Sequence, residues 1–218
     1  MKSIFGLVKF NVKLVMNYNM LICIGIIVVG LITFGLVPMS RGMYYRMNEF
    51  VLIFVGPVSL LSIADLECRE HVWEMVYAKQ QRMISVLILR LVLVFIADAM
   101  LFSVPYFLVW YSGNSEIGFT DYLGCLITAL WFGLVGFVLT EITGSRQVGV
   151  CTLVVYYLLE VITAGKYTKE FTLVGYLTGR PETKRNLMYA TAVLVVLVLC
   201  FDYFKIRGIY DNRDRVTQ

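Results

Sequence analysis

The only histidine, His71, sits in a charged interval, 65–82, between two long apolar runs. No partner residues for metal or nucleophile chemistry accompany it. The sequence contains no HExxH, no GxSxG and no GxxxxGK[ST]. It therefore lacks a zinc-protease helix, a nucleophile elbow and a phosphate-cradling loop. No two acidic residues lie at i, i+3 or i+4 in the middle of an apolar run. The cysteines Cys23, Cys68, Cys125, Cys151 and Cys200 form no CxxC and no metal spacing. Four of them lie in apolar runs, where a free thiol behaves as a small hydrophobe. These absences point away from an enzyme, and to a chain that binds no cofactor or metal of its own.

A few polar residues fall inside apolar runs. Asp98 is flanked by Phe95, Ile96, Ala97 and Ala99. A carboxylate there must face the bundle interior, water or a partner. Two readings are open: it lines a substrate path or senses protons, or it is protonated or hydrogen-bonded to a Tyr, Ser or Thr of a neighbouring helix. Glu160 lies near the end of another run, and Glu141 and Asp202 lie at helix ends. Tyr106, Phe107, Trp110 and Tyr111 cluster at one end of a run, either as an interfacial belt or as the wall of an exit path. The candidate pathway residues are Asp98, Tyr106, Trp110 and Glu160.

The elements that must position these residues follow from composition. Of 218 residues, 59% are hydrophobic and 16% charged. A soluble domain carries roughly a quarter charged residues, and here the apolar residues come in blocks of spanning length. The reading is an all-α membrane protein of one domain, with spans near 20–38, 50–66, 83–111, 122–143, 148–164 and 188–206. A net charge of +4 is too small and scattered for a nucleic-acid partner. At 100° per residue, Lys2, Lys9 and Lys13 share one arc of 2–18, opposite Ile4, Leu7, Val8, Leu14 and Val15. That pattern predicts a basic amphipathic helix in the membrane interface. No small-residue cleavage site follows it, so the first run reads as a retained anchor.

Arg41, Arg46 and Glu49 read as a short polar loop before the second span. Gly56-Pro57 predicts a bend inside that span. With the N-terminus cytoplasmic, eleven basic residues fall inside and seven outside, so both termini and the 65–82 interval are cytoplasmic. The last outer interval, 165–187, is the misfit, with five basic residues. Its stretch Phe171-Thr-Leu-Val-Gly-Tyr-Leu177 is too short to span, and reads as a re-entrant element that protein must cover.

With 65–90 placed between spans two and three, the chain resembles the ABC-2 type permeases, the membrane subunits of ATP-driven exporters. Glu67 and Glu70 match the acidic start of that family's most recognisable stretch. Glu74 matches the later acidic position, Met75-Val76 the apolar pair, and Arg90 the basic residue in span three. His71-Val72 stands where Gly-Thr is usual, and Gln80-Gln81 where Pro is usual. The resemblance covers essentially the whole length and rests on topology and loop lengths more than on single residues.

The resemblance implies an exporter permease of the plasma membrane that moves an amphipathic peptide, lipid or drug-like molecule. It implies two copies of a cytoplasmic ATPase subunit, which hydrolyse ATP, and a second permease, identical or related. It also implies that 66–79 is a coupling helix. There Trp73, Val76 and Tyr77 share one side and Glu67, Glu70 and Glu74 another, with His71 also counted among the coupling residues, so an aromatic anchor sits inside a charged rim. Four acidic residues from Asp65 to Glu74 would be repelled by an anionic inner leaflet, which favours a protein partner over lipid. Two alternatives are a proton-coupled secondary transporter using Asp98, and an ATPase-independent membrane enzyme or assembly factor.

Overall fold

A computed structural model describes residues 9–13, 18–35, 39–68, 83–111 and 117–216, with the side chains at 65–68, 83–84 and 202–216 outside that description. Among the described residues every regular element is helical. They are α1 (Tyr18–Phe34), α2 (Arg41–Phe50), a 3-10 turn (Leu52–Phe54), α3 (Val55–Cys68), α4 (Met83–Tyr111), α5 (Phe119–Thr143), α6 (Arg146–Thr163), a second 3-10 turn (Lys169–Phe171) and α7 (Glu182–Val216). Residues 9–13 form a further short helical stretch.

Among the described residues, five helical units are long and apolar enough to cross a membrane: Arg41–Ala64, Ser85–Tyr111, Phe119–Thr143, Arg146–Thr163 and Glu182–Phe201. The chain is thus an all-helical, multi-pass membrane protein. The first expected span corresponds to α1, a 17-residue apolar helix. At 1.5 Å per residue it reaches about 25 Å, short of the ~30 Å hydrocarbon core.

The stretch with Arg41, Arg46 and Glu49, expected as a loop, is helical. Ser40 caps it, its hydroxyl accepting from the Met43 N–H at 3.3 Å, and Tyr44, Met47, Asn48 and Glu49 are buried. The expected bend also takes a different form. Helix geometry breaks at Val51, passes through the 3-10 turn and restarts at Val55. Pro57 therefore lies in the first turn of α3, where its missing N–H has no intrahelical partner to lose. Between α5 and α6, Gly144 ends α5 with φ 65°, a left-handed cap that suits glycine.

α5 and the Arg41–Ala64 unit are the most enclosed, 67% and 72% buried, against 17% for α6 and for the apolar part of α7. The closest approach is between α3 and α5. A Cβ on Gly56 would fall on the Ala129 carbonyl, and a Cβ on Gly133 would lie 2.5 Å from the Gly56 backbone. Ala129 and Gly133 are four residues apart, so they share one face of α5 and let two backbones touch. Between α5 and α6, Gly149 abuts the Thr140 hydroxyl and the Gly136 carbonyl. α6 and α7 leave Val154, Val155, Leu158, Ile162, Val193 and Val196 exposed, the outward face of an element meeting apolar solvent.

Candidate functional site

Four buried charges and the exposed Arg41 gather at one end of the bundle, where α2 and α5 begin and α6 leads into α7. Glu49 in the last turn of α2 is 1% exposed, and Lys184 in the first turn of α7 is 4% exposed. They form an ion pair at 2.7 Å. The remaining valences of both are filled. Glu49 accepts from the backbone N–H of Tyr176 at 2.9 Å and of Leu177 at 3.2 Å. Lys184 donates to the Leu173 carbonyl at 2.7 Å and to the Thr128 hydroxyl of α5 at 3.0 Å. Its ammonium also lies 5.0 Å from the centre of the Tyr176 ring. A cation in the first turn of a helix faces the positive end of the helix dipole. Lys184 is stable there because Glu49 answers it.

A second carboxylate holds the same segment from the other side. Glu160 in α6 is fully buried. One of its oxygens accepts from the Thr172 hydroxyl at 2.7 Å and from the Leu173 N–H at 2.9 Å. Leu173 is therefore gripped at both backbone groups, its N–H by Glu160 and its carbonyl by Lys184. Thr172, Leu173, Val174 and Gly175 are all buried, so the 165–181 segment lies packed into the bundle. The Tyr176 ring stacks on Tyr45 of α2 at 4.4 Å, over Gly124, where no side chain obstructs its hydroxyl. That hydroxyl donates to the Thr120 carbonyl at 3.3 Å. Burial pushes it well above the usual tyrosine range, so it remains a neutral donor. Arg41 and Asp121 close the rim at 3.2 Å, and Asp121 also caps α5 through the Gly118 N–H at 3.0 Å.

The expected pathway residues have separate partners. Asp98 is 1% exposed and accepts from the Ser59 hydroxyl of α3 at 2.8 Å. Its other oxygen has no partner among the described residues. Tyr106 packs against Phe107 and against Tyr122 of α5. Trp110 is exposed. Glu160 belongs to the node just described. Arg90, matched to the family's basic residue, is buried and donates to the Asn11 side chain at 2.9 Å, tying α4 to the 9–13 stretch. An apolar cleft of about 390 Å³ opens beside that stretch, lined by Val12, Met20, Ile24, Leu93, Ala97 and Met100.

The expected coupling residues Glu70, His71, Trp73, Glu74 and Tyr77 lie outside the described residues, as does the side chain of Glu67. Among the described residues no group of three or more His, Cys, Asp or Glu side chains could hold a metal. Sequence reasoning missed Glu49 and Lys184, assigning both to loops outside the spans. The signal lay in Ser40 followed by Tyr44, Met47, Asn48 and Val51, a capped helical face that places Glu49 beside it. Comparison of the chain with protein-family models, with curated proteins and with solved structures found no match.

Proposed function

We propose that the chain is the permease subunit of an ABC-2 type exporter, with six spans, both termini cytoplasmic and its energy supplied by a separate ATPase. The observation that carries this reading is the 65–82 interval. It joins two apolar helices, α3 and α4, and bears the aromatics Trp73 and Tyr77 with Val76, flanked by four acidic residues. A polar connector needs none of these aromatics, whereas a docking helix does. In this reading α1 is the first span, accommodated by local thinning of the bilayer, and 165–181 dips into the outer leaflet, its backbone covered by protein. Burial of residues 172–175 against α2, α5 and α6 supports that element. The apolar cleft beside Ala97 and Met100 suits an acyl or aromatic group, in keeping with an amphipathic substrate.

In the mechanism that follows, the ATPase dimer closes on ATP and drives the 66–79 helix, and the spans attached to it move as rigid bodies. A second permease completes the pathway. The test is to co-express the chain with the reading frames beside its own and purify it. An ATPase subunit is expected to accompany it and to be lost when 66–79 is replaced by a polar linker. Retention of the ATPase by the linker variant would contradict the coupling role, and absence of any ATPase would contradict the permease reading.

A further inference from the structure

The attachments of 165–181 to the bundle combine burial of a few side chains with an unusually polar set of anchors. Glu49, Glu160 and Lys184 engage its backbone at Leu173, Tyr176 and Leu177. Its entry is strained: Ala164 and Lys169 hold positive φ, 49° and 45°, a region costly for residues with a Cβ. A segment meant only to be covered is held well by apolar packing, because replacing a buried ion pair with well-fitted apolar residues is often neutral or stabilising. Glu49 and Lys184 do something apolar packing cannot. They sit on different helices, α2 and α7, and both also hold the segment. Any shift of α7 against α2 that parts the pair therefore loosens the grip on Leu173, Tyr176 and Leu177 together.

We propose that the Glu49–Lys184 pair is the latch of a strap, residues 165–181, which opens independently of the bundle when α7 moves against α2. Opening lifts Tyr176 from its place over Gly124 and uncovers the Glu49 carboxylate and the Thr128 hydroxyl in the third turn of α5. Glu160 remains the hinge-side anchor, since it lies on α6 next to the strained entry. The inference rests on the described fold and stands apart from the permease reading.

The test uses the full chain in opened membrane fragments, so that a water-soluble maleimide reaches both faces. Val174→Cys, at a buried strap position, reports the strap. Native Cys23, fully buried in α1, reports the bundle, and the other four cysteines are replaced by serine or alanine. The thiol at position 174 is expected to react about tenfold faster than Cys23, since local opening precedes global unfolding. Lys184→Met is expected to speed labelling at 174 by about another tenfold, through the uncompensated Glu49 charge, while leaving Cys23 unchanged. Glu49→Gln combined with Lys184→Met removes that charge but leaves the latch absent, so labelling at 174 is expected to stay above the parent's rate, and a return to the parent's rate would overturn the proposal. Equal rates at 174 and Cys23 in the parent would overturn the proposal, as would Lys184→Met accelerating both thiols together.

Discussion

Replacing Gly56 by alanine tests whether the contact between α3 and α5 is the fold's tightest constraint. In an open helix, Gly→Ala is stabilising by about 1 kcal/mol, because alanine loses less backbone entropy. At Gly56 the new methyl group would land on the Ala129 carbonyl oxygen, with the carbonyl carbon 2.5 Å away. Both obstacles are backbone, so no rotamer change relieves them and the two helices must separate. Overpacking of this kind costs about 1–3 kcal/mol, and a backbone obstacle puts it at the upper end. Pro57 adds a further penalty, since a Cβ before proline disfavours the helical conformation. The expected net result is a loss of about 2 kcal/mol, opposite in sign to the propensity effect. Gly25→Ala is the control, because a Cβ there meets nothing within 4 Å. It should be neutral or gain up to about 1 kcal/mol. Loss of helicity on titration with a denaturing detergent measures both variants of the purified full chain. If Gly56→Ala proves as stable as Gly25→Ala, the α3–α5 crossing is wrong.

Two further substitutions separate hydrogen-bond loss from shape. Glu160→Ala strips the shared acceptor from the Thr172 hydroxyl and the Leu173 N–H, a loss of about 2–4 kcal/mol in the same unfolding assay. Glu160→Gln keeps an acceptor and should cost about 1 kcal/mol or less. Ser59→Ala removes the hydrogen bond that the Ser59 hydroxyl donates to Asp98 and should destabilise by about 1–3 kcal/mol. Asp98→Asn retains that bond and should cost less than Ser59→Ala.

The helices were legible in the sequence because apolar blocks of spanning length leave few other outcomes. Five of the expected spans correspond to helices long enough to cross. The first falls short because the helix ends at Phe34, where Gly35 takes a positive φ of 88°. The α3–α5 contact was less visible. No GxxxG lies in a span, but Ala129-xxx-Gly133 serves the same purpose with a methyl group in place of one hydrogen. The node was hidden for a physical reason. Glu49 and Lys184 lie 135 positions apart (184 − 49), and each alone looks like a charge at a solvated helix end. Only tertiary packing buries them together, and burial is then tolerable because the pair and its four further hydrogen bonds satisfy both groups. Asp98 was read with two outcomes open. The Ser59 hydroxyl of α3 supplies a hydrogen bond to one of its oxygens.

The central claim is that 65–82 is a grip for a separate ATPase. A photo-crosslinking amino acid in place of Trp73 or Tyr77, activated in living cells that express the full chain, tests this directly. The account predicts a crosslinked species containing this chain and one nucleotide-binding subunit, formed at 73 and 77 and absent when the same probe is placed at Val193 on the exposed face of α7. Crosslinks from 73 and 77 only to lipid, or only to a second copy of this chain, would contradict it.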